Sequence, residues 1–331
     1  MYKKIYNFFQ IEIKVSGKEK TLSKIDLKKI FNINNKKTIN HLYNFSKKLK
    51  FYELTKQQIN QEFNRVKNLT SQINDKSSFK RLPIWNKGWD DNLQKILNFS
   101  KKIDIKSSLT KKTVPNYYLR KKQRVFKLKN NKFIYPKTKN FELKFHRLIL
   151  HFINIKFLDK IDCLYEFGAG SCQNLIFFLN LKKKLRVFGS DWSASTIKIL
   201  KLIKKNYQDR VISFQQINMF KKFSLKVHEN SCLFTFCSME QLGKNFKNFI
   251  NSSLKLNFKI YVHVEPINEL SRKDRFGKLS VNYLKRRNYL FGFLKFLKNL
   301  ENKKIIKILY KQQVFSNSFF DCWSIIVWKK I

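Results

Sequence analysis

The hydrophobic pattern divides the chain into two parts. In the first third, apolar side chains recur at helical spacing behind good start signals, as in KQQINQEFNRVKNL, which follows Thr55. There Ile59, Phe63 and Val66 recur three or four residues apart, which places them on one face of a helix. The sequence therefore predicts a mainly helical N-terminal region, ending in a basic connector, over residues 1–140.

Two stretches of this N-terminal region stand out. Residues 111–140 are strongly basic and contain Pro115 and Pro136, which is typical of a linker, with phosphate contact as the alternative. The stretch RLPIWNKGWDDNL carries Trp85 and Trp89, for which a buried core anchor is the more frequent role and a ligand platform the alternative. Without a glycine-rich loop, the region is assigned to substrate selection, lid formation or oligomer contacts.

Strands and helices alternate from residue 141 onward. A helix over FELKFHRLILHFINIKFL precedes the strand IDCLYEF, and further strands are predicted at LRVFGS, VISFQQIN, CLFTFCS, IYVHVEP, IIKILY and SIIVWKK. Helices are predicted between them at 193–206, 244–256 and 282–301. Such alternation favours an α/β fold with a Rossmann-like, doubly wound, mostly parallel sheet, whose ligands bind at the carboxyl ends of the strands.

The composition adds a strong positive charge. Lys and Arg number 70 against 22 Asp and Glu, a net charge of +48 that should attract polyanions such as nucleic acid. An AT-rich genome is the competing explanation, because Lys, Asn, Ile, Phe and Tyr are abundant while the chain has only 8 glycines and 4 prolines. The lysines are spread over the whole chain, so charge alone does not select a function.

Composition also excludes several classes of protein. No apolar stretch approaches the ~20 residues of a membrane-spanning helix, and Gln10, Glu12 and Lys14 interrupt the segment that a signal peptide would need to be apolar. Five cysteines without a CxxC pair indicate reduced thiols, and no spacing of His and Cys indicates a metal site. We therefore expect a soluble cytoplasmic protein without a bound metal.

The glycine-rich turn after the strand IDCLYEF is the most informative motif. Gly168 and Gly170 stand between a strand and a helix, where the backbone turns tightly and a ligand approaches without interference from a side chain. Asp191 ends the next strand, at the spacing of about 20 residues at which a carboxylate binds a nucleoside ribose. Gln173 stands where a dinucleotide site has its third glycine, and there is no Walker lysine pattern. These features favour a nucleoside cofactor of another kind.

The run EFGAG, with Glu166 two residues before the first glycine, resembles motif I of the class I S-adenosylmethionine-dependent methyltransferases. The resemblance covers about residues 141–331 and implies a cofactor-binding methyltransferase domain of that extent. It assigns the methionine part of the cofactor to the glycine turn, the ribose hydroxyls to Asp191 and the adenine to Trp192 and Asn218. The residues expected to contact S-adenosylmethionine are Glu166, Gly168, Ala169, Gly170, Asn174, Asp191, Trp192, Asn218, Met219 and Ser238.

Three shorter runs, SMEQLG, VHVEPI and RNYLFGFL, resemble a bacterial group of methyltransferases associated with the modification of sugars or surface polysaccharides. That resemblance implies methylation of oxygen on a small molecule or on a sugar or polysaccharide precursor. One departure from the wider family is Cys172, which stands where motif I usually has a third glycine.

Candidate general bases lie after the fourth and fifth strands of this domain. Methyl transfer to a hydroxyl needs alignment and a group that takes the proton. Glu240 follows CLFTFCS and Glu265 ends IYVHVE, so both catalytic candidates are expected at neighbouring strand ends. His263 shares a strand face with Glu265 and is either a proton acceptor or a buried, hydrogen-bonded strand residue. Arg286, Arg287 and Tyr289 are candidates to bind an anionic part of the acceptor, with a solvated helix face as the alternative for the two arginines.

Two other functions stay open at the level of the sequence. An RNA methyltransferase would use the positive charge, but SMEQ at 238–241 differs from the Asn/Asp-Pro-Pro-aromatic loop of enzymes that methylate exocyclic amines, and residues 1–140 contain no recognisable RNA-binding module. Cys237 is a candidate nucleophile for carbon methylation, although packing is the more frequent role of a strand-end cysteine. A non-catalytic polyanion-binding protein is expected to lack the glycine turn and Asp191, which this chain retains.

Overall fold

The computed structural model describes residues 13, 15, 17–73, 76, 81–99, 105–119, 124–128 and 132–331. The interpretation that no export signal is present rests on residues 1–14, which lie almost entirely outside this part. Positions 120–123 and 129–131 of the predicted connector also lie outside it. Within the described ranges, no helix combines the length and the apolar character needed to cross a membrane.

Ten strands form one sheet in the described part of the chain. The strands are β1 (Phe51–Glu53), β2 (Phe126–Lys127), β3 (Phe133–Pro136), β4 (Cys163–Phe167), β5 (Arg186–Asp191), β6 (Ile212–Gln216), β7 (Ser231–Phe236), β8 (Ile260–Glu265), β9 (Ile306–Asn317) and β10 (Trp323–Lys330). Their order across the sheet is β1-β3-β2-β9-β10-β8-β7-β4-β5-β6. Every strand predicted after residue 141 is therefore present.

The centre of the sheet is parallel. Strands β6, β5, β4, β7 and β8 pair in parallel, whereas β10 runs antiparallel to both β8 and β9. The direction of winding reverses at β4, because β5 and β6 lie on one side of it and β7 and β8 on the other. Such a reversal opens a crevice beyond the carboxyl ends of β4 and β7. The prediction of a Rossmann-like, mostly parallel sheet is confirmed for this part, and the complete sheet is mixed.

Helices cover the sheet on both faces. Those in the described residues are α1 (Lys24–Phe31), α2 (Lys36–Ser46), α3 (Lys56–Ser71), α4 (Leu82–Phe99), α5 (Ile105–Lys112), α6 (Phe141–Phe157), α7 (Gln173–Leu181), α8 (Ala194–Asn206), α9 (Phe246–Leu254), α10 (Arg275–Arg286) and α11 (Phe293–Asn302). Leu164 packs into a core shared with α6, α7 and α8, whereas Tyr165 packs into a core shared with α9 and α11. This alternation is the two-residue period of a strand that is buried on both faces.

The N-terminal region is joined to the large sheet. Phe31 of α1 packs on Phe152 of α6, with ring centroids 4.6 Å apart. Strand β2 pairs with the end of β9 through Phe126 and Asn317, and β3 and β1 extend the sheet further. The described part of this region thus combines five helices with three short strands, and it shares a core with the domain that follows.

The helix predicted behind Thr55 is α3. Thr55 Oγ1 accepts a hydrogen bond from the Gln58 backbone N–H, and the Gln58 side chain accepts one from the Thr55 backbone N–H. This reciprocal capping box satisfies two N–H groups that the first helical turn leaves free. The local sequence therefore determines where α3 begins.

Two predictions about the elements were wrong. The described residues of the predicted connector include the end of α5, a 3-10 turn over Asn116–Tyr118, and β2 and β3, whose buried Phe126 and Ile134 lie on paired strands that continue the sheet. The single helix predicted over 282–301 is instead α10 and α11. Asn288 and Gly292 between them have φ of +52° and +77°, a left-handed backbone that interrupts a right-handed helix.

Candidate functional site

The turn between β4 and α7 lies at the crevice where the winding of the sheet reverses. Gly168 and Gly170 have φ of +74° and +53°, which glycine adopts without strain. A side chain at Gly168 would overlap the Cβ atom of Ser238, which follows β7. Ser238 Oγ also donates to the Phe167 carbonyl at 2.8 Å, so the two strand ends are tied together. Three of the predicted cofactor residues are thus neighbours.

The end of β5 holds this turn in place. The Ser190 carbonyl accepts from the Ala169 N–H at 2.9 Å. Asp191 Oδ2 accepts from the Gly170 N–H and Oδ1 from the Ser193 N–H, both at 2.9 Å. Burial raises the pKa of Asp191 to about 6, against the lowering effect of these two hydrogen bonds. Because each carboxylate oxygen has more than one acceptor position, Asp191 can hold the turn and a ligand hydroxyl together.

Glu166 contributes a second buried carboxylate at the end of β4. Its Oε1 accepts from Asn174 Nδ2 at 2.7 Å, and its Oε2 is buried with no hydrogen-bond partner among the residues that the structure describes. Burial raises the pKa of Glu166 to about 8; the Asn174 bond lowers it and the charge of Asp191 adds to the rise. Buried polar atoms without a partner are rare in folded proteins, so Oε2 is a position for a donor from a ligand.

The loops after β5 and β6 carry the remaining predicted cofactor residues. Met219 reaches the turn, because a side chain at Gly168 would lie 3.3 Å from its Cε atom. Trp192 is half-buried directly after β5. Asn218 is half-buried after β6, where its Oδ1 accepts from the Phe220 N–H at 2.9 Å. The structure brings Met219 to the turn and leaves Trp192 and Asn218 on the adjoining loops.

Glu265 is fully buried at the end of β8 and shapes the loop after β7. Its Oε1 accepts from the Ser238 and Met239 N–H groups at 3.2 and 3.1 Å, and its Oε2 accepts from the Glu240 N–H at 3.2 Å. Burial raises the pKa of Glu265 to about 7, and the backbone hydrogen bonds lower it. A carboxylate that accepts three backbone N–H groups holds a turn, and this geometry favours a positioning role over that of a base.

Glu240 lies in the loop after β7 and is buried, with 8% of its surface exposed. Gln241 Nε2 donates to Glu240 Oε1 at 2.8 Å. Burial and the charge of Glu265 raise the pKa of Glu240 to about 8, while Arg287 and Arg81 lower it, so both guanidinium groups lie near this carboxyl. Of the two glutamates predicted as bases, Glu240 is the one whose carboxyl is not occupied by three backbone N–H groups.

Arg287 and Tyr289 lie together at this edge of the sheet. The Arg287 guanidinium is centred 5.3 Å from the Tyr289 ring centroid, and its Nη2 donates to the tyrosine hydroxyl at 3.4 Å. Both residues are buried, with 6% and 7% of their surfaces exposed. The solvated helix face, which was the alternative for the two arginines, is therefore wrong for Arg287, because the chain turns inward after α10. Arg286 is half-buried, and its Nη1 donates to the Ser71 carbonyl at 3.0 Å.

His263 is enclosed in the sheet. Its Nδ1 lies 2.9 Å from Thr235 Oγ1, and its ring packs against Phe293 and Trp328 at centroid distances of 5.5 and 6.0 Å. Burial lowers the pKa of His263 to about 3, so the imidazole is neutral at physiological pH. This environment matches the alternative of a buried, hydrogen-bonded strand residue.

Cys237 has the properties of a protonated thiol. Burial and the charges of Glu240 and Glu265 raise the pKa of Cys237 above its usual range. A thiol of this kind is a poor nucleophile, which weighs against carbon methylation through Cys237. Elsewhere in the described residues, no group of three or more His, Cys, Asp and Glu side chains is arranged to hold a metal ion.

The sequence did not predict that helix α4 would cover the glycine turn. A side chain at Gly170 would lie 2.8 Å from the Trp89 ring, and the Trp85 and Trp89 rings stack with centroids 5.9 Å apart. Asn86 Oδ1 accepts from Ser193 Oγ at 2.7 Å beside them. Both tryptophans are half-buried, so the prediction of core anchors was only partly right. The two tryptophans in RLPIWNKGWDDNL were the sequence feature from which the contact of α4 with the glycine turn could have been predicted.

No family model matches the sequence, and no curated protein matches it. Among solved structures, the pyocyanin biosynthetic protein PhzM is 12% identical over 58% of this chain and 57% of that chain, with a TM-score of 0.44. Geranyl diphosphate C-methyltransferase from Streptomyces coelicolor A3(2), in complex with Mg²⁺, geranyl diphosphate and S-adenosyl-L-homocysteine, is 10% identical over 60% of this chain and 86% of that chain, with a TM-score of 0.42.

A third similar structure is N-methyltransferase NodS from Bradyrhizobium japonicum WM9 in complex with S-adenosyl-L-homocysteine. It is 10% identical over 56% of this chain and 86% of that chain, with a TM-score of 0.42. This chain spans little more than half the length of PhzM. Similarities of this size do not transfer an activity to the chain.

Proposed function

We propose that this chain is an S-adenosylmethionine-dependent methyltransferase that methylates an oxygen atom of a small molecule or of a sugar or polysaccharide precursor. The observation that carries the proposal is the crevice at the glycine turn, where Glu166 and Asp191 lie beside Gly168 and Gly170. The resemblance of EFGAG to motif I supports the same cofactor.

The residues at the turn fit S-adenosylmethionine by their hydrogen-bonding types. Glu166 Oε2 would accept from the cofactor's ammonium group, since it is a buried acceptor without a donor. Asp191 would accept from the ribose hydroxyls, and Met219 would pack on the adenine. When bound, the cofactor supplies an electrophilic methyl group on a positively charged sulfur.

Glu240 would take the proton from the acceptor hydroxyl. Its pKa of about 8 makes it a stronger base than an ordinary carboxylate while leaving a usable ionised fraction near neutral pH. Gln241 would fix the direction of the carboxyl group. Glu265 would act through the loop that carries Glu240, and His263 would support the strand.

The surroundings of Glu240 suit a polar acceptor. The pKa of Glu240 responds to the charges of Arg81 and Arg287, so two guanidinium groups flank the proposed base from different elements. Tyr289 adds a hydroxyl beside Arg287. Arginine presents several N–H donors in a fixed plane, which suits sugar hydroxyls as well as acidic groups.

Calorimetric titration of the purified protein tests the cofactor. We expect micromolar binding of S-adenosylmethionine and S-adenosylhomocysteine and no binding of NAD. Glu166→Gln keeps an oxygen for Asn174 and removes the charge, and it should weaken binding by about tenfold or more, since hydrogen bonds to charged groups contribute ~1.5–3 kcal/mol.

The matched control for the charge is Asp159→Ala, an exposed carboxylate that precedes β4 at the opposite end of the strand from the turn. It should leave the affinities for S-adenosylmethionine and S-adenosylhomocysteine unchanged. Asp191→Ala should abolish cofactor binding. Wild-type affinity in both Glu166→Gln and Asp191→Ala would contradict the assignment of the cofactor to this turn.

The same preparation distinguishes the alternatives. A short RNA titrated at low and at physiological salt should bind weakly or not at all at the higher concentration, because diffuse charge is screened by salt. Release of S-adenosylhomocysteine in a screen of hydroxylated small molecules and sugars then identifies the acceptor. Salt-resistant RNA binding without cofactor binding would favour a polyanion-binding protein. Salt-resistant RNA binding together with cofactor binding would favour an RNA methyltransferase.

A further inference from the structure

A cavity of about 360 Å³ lies beside β9, and none of its lining residues belongs to the glycine turn. Small-molecule sites in proteins usually measure about 300–1,000 Å³, so this cavity has the size of a site for a small metabolite. Its polar lining comes from the loop before α10 and from the middle of β9: Arg272, Lys273, Asp274, Lys311, Gln312 and Gln313.

Arg272 is held in place by a buried carboxylate. Asp321 Oδ1 accepts from Arg272 Nη2 at 2.8 Å, and Asp321 Oδ2 accepts from the Arg272 backbone N–H at 3.3 Å. Ser316 Oγ donates to the same carboxylate at 2.5 Å, and Asp321 is fully buried. The guanidinium is therefore fixed on one side by its ion pair with Asp321, which is itself held by Ser316.

The other donors of Arg272 are not used by this network. Its Nε and Nη1 atoms are buried and have no acceptor among the residues that the structure describes. A buried charged donor without an acceptor is costly, and an oxyanion is the partner that best satisfies a guanidinium. The fixed arginine is thus prepared to receive an anionic group.

The charges around the cavity favour an anion as well. Asp274 is engaged by Lys127, whose side chain is almost completely buried, and by the Gly277 N–H at 2.8 Å. Lys273 and Lys311 are exposed. In the described part of the chain, the charged groups at this cavity are the cations Lys127, Arg272, Lys273 and Lys311 and the carboxylates Asp274 and Asp321.

We propose that this cavity is a second ligand site, which binds a small metabolite through a phosphate or carboxylate group held by Arg272. The size of the cavity, the fixed guanidinium and the excess of cations all favour this class of ligand. Gln313 pairs with Ser324 of β10, which pairs with Glu265 of β8. The site therefore lies two strands from Glu265, or about 10 Å at the usual strand spacing.

Calorimetric titration of the full chain tests the proposal with defined probes. Glucose 6-phosphate and gluconate carry the two anionic groups on similar bodies, and glucose carries neither. We expect saturable binding of at least one charged probe, one molecule per chain, and none of glucose. Binding of glucose 6-phosphate alone identifies a phosphate site, and binding of gluconate alone a carboxylate site.

Arg272→Met should weaken binding of the charged probe by about tenfold or more, because a hydrogen bond to a charged group is lost. That variant also leaves Asp321 without its arginine, so Lys311→Met on the exposed rim is the second variant. We expect it to weaken binding about two- to fivefold without loss of stability. The matched control is Lys307→Met, an exposed lysine on the same strand that does not line the cavity.

A charged probe that saturates, and whose affinity falls in Lys311→Met but not in Lys307→Met, supports the proposal. Equal losses in both lysine variants would overturn it, because the probe would then sense only the diffuse charge of the chain. The absence of saturable binding for every charged probe would overturn it too. The result does not depend on the methyltransferase proposal, since S-adenosylhomocysteine is left out of these titrations.

Discussion

At the scale of single residues, Gly170 packs closely against Trp89 at the candidate site. The glycine has a left-handed backbone, and the indole ring occupies the space that a side chain would take. The two residues come from parts of the chain that are about 80 positions apart, so this contact fixes the N-terminal region against the cofactor turn. Substitutions at Gly170 and Trp89 test this contact directly.

We expect Gly170→Ala to lower the free energy of unfolding by roughly 2–4 kcal/mol. Strain from the φ of +53° accounts for part of the loss, and overlap of the new methyl group with the Trp89 ring accounts for the rest. Trp89→Ala removes the ring with which the new methyl group overlaps. In a double-mutant cycle measured by urea unfolding, Gly170→Ala should therefore cost less in the Trp89→Ala background than in the wild type.

Gly88→Ala is the matched control for this substitution. Gly88 lies in α4, one residue from Trp89, and has open space where a side chain would be. Alanine there should stabilise the helix by about 0.5–1 kcal/mol. A Gly170→Ala variant as stable as the wild type would show that α4 does not rest on the turn.

The two glutamates after β7 and β8 should respond differently to loss of charge. Glutamine at position 265 offers one oxygen to three backbone N–H groups, so Glu265→Gln should lower the free energy of unfolding by roughly 1–3 kcal/mol. The Glu240 carboxyl accepts one side-chain hydrogen bond, from Gln241, in the described part of the chain, and Glu240→Gln should cost less than about 1 kcal/mol. Equal losses in urea unfolding would contradict the positioning role of Glu265.

The turnover of the wild type should rise with pH through about 8, where Glu240 becomes ionised. Glu240→Gln should be much slower and should lack this rise, while its affinity for S-adenosylhomocysteine stays unchanged. The measurement is the release of S-adenosylhomocysteine between pH 6 and 9 with the acceptor found in the screen. A rise that survives in Glu240→Gln would assign the proton transfer to another group.

The position of a single residue could be predicted where the elements that determine it are close together in the sequence. Gly168, Gly170 and Asp191 were found from the sequence because a strand, a tight turn and a second strand end stand in one short stretch. The role of Glu265 was not predictable, since its three N–H donors lie 25 to 27 positions earlier in the chain. The burial of Arg287 likewise depends on the break at Asn288, which apolar periodicity does not reveal.

At the scale of elements, α4 joins the N-terminal region to the crevice, in addition to the contacts of α1 with α6 and of β2 with β9. Asn86 and Asp90 lie one turn apart on this helix and accept from Ser193 and Ser195 at the start of α8, at 2.7 and 3.2 Å. Residues four apart lie on one helix face, so these bonds and Trp89 hold the same side of α4 against the crevice.

Replacing Asn86 and Asp90 together by alanine should loosen α4. We expect amide hydrogen exchange in this helix to accelerate by about thirtyfold, because two hydrogen bonds of roughly 1 kcal/mol each are lost. Exchange in α9, on the other face of the sheet, should not change. Gln94→Ala, at an exposed position of the same helix, is the control. Unchanged exchange in α4 would mean that the packing of Trp89 and of the buried Leu93 and Ile96 holds the helix without these two bonds.

The strands after residue 141 were predictable because each is a short apolar run, whereas the single helix predicted over 282–301 is two helices. β2 and β3 were missed for a different reason. They are only two and four residues long and stand in a basic stretch, and β2 exists because β9 offers it a free edge. Pairing of this kind depends on a strand about 190 positions later, which no local pattern contains.

At the scale of the whole molecule, the buried titratable groups determine how stability depends on pH. Burial raises the pKa of Asp191 to about 6, of Glu265 to about 7, and of Glu166 and Glu240 to about 8. It lowers the pKa of His146 and His263 to about 3 and of His151 to about 4. In an unfolded chain these groups titrate near 4 and near 6.5.

The buried carboxyls and the buried histidines change the stability of the fold in opposite directions as the pH changes. Between about pH 4.5 and 8, the folded chain binds more protons at the carboxyls than the unfolded chain does, so this contribution to stability falls as pH rises. Between about pH 3 and 6.5, the folded chain binds fewer protons at the histidines, so that contribution falls as pH falls. Only the carboxyls act between pH 6.5 and 8, so stability should be highest between about pH 4.5 and 6.5.

The thermal midpoint should therefore be higher at pH 6 than at pH 8.5. Ionic strength must be held constant in this series, because the net charge of +48 makes self-repulsion sensitive to salt. The double variant Glu166→Gln, Glu240→Gln removes the two carboxyls with the highest pKa values, and its midpoint should change less between pH 6.5 and 8.5. A wild-type midpoint that rises over this range would show that these carboxyls are ionised in the folded protein at neutral pH, and a base with a pKa near 8 would then be excluded.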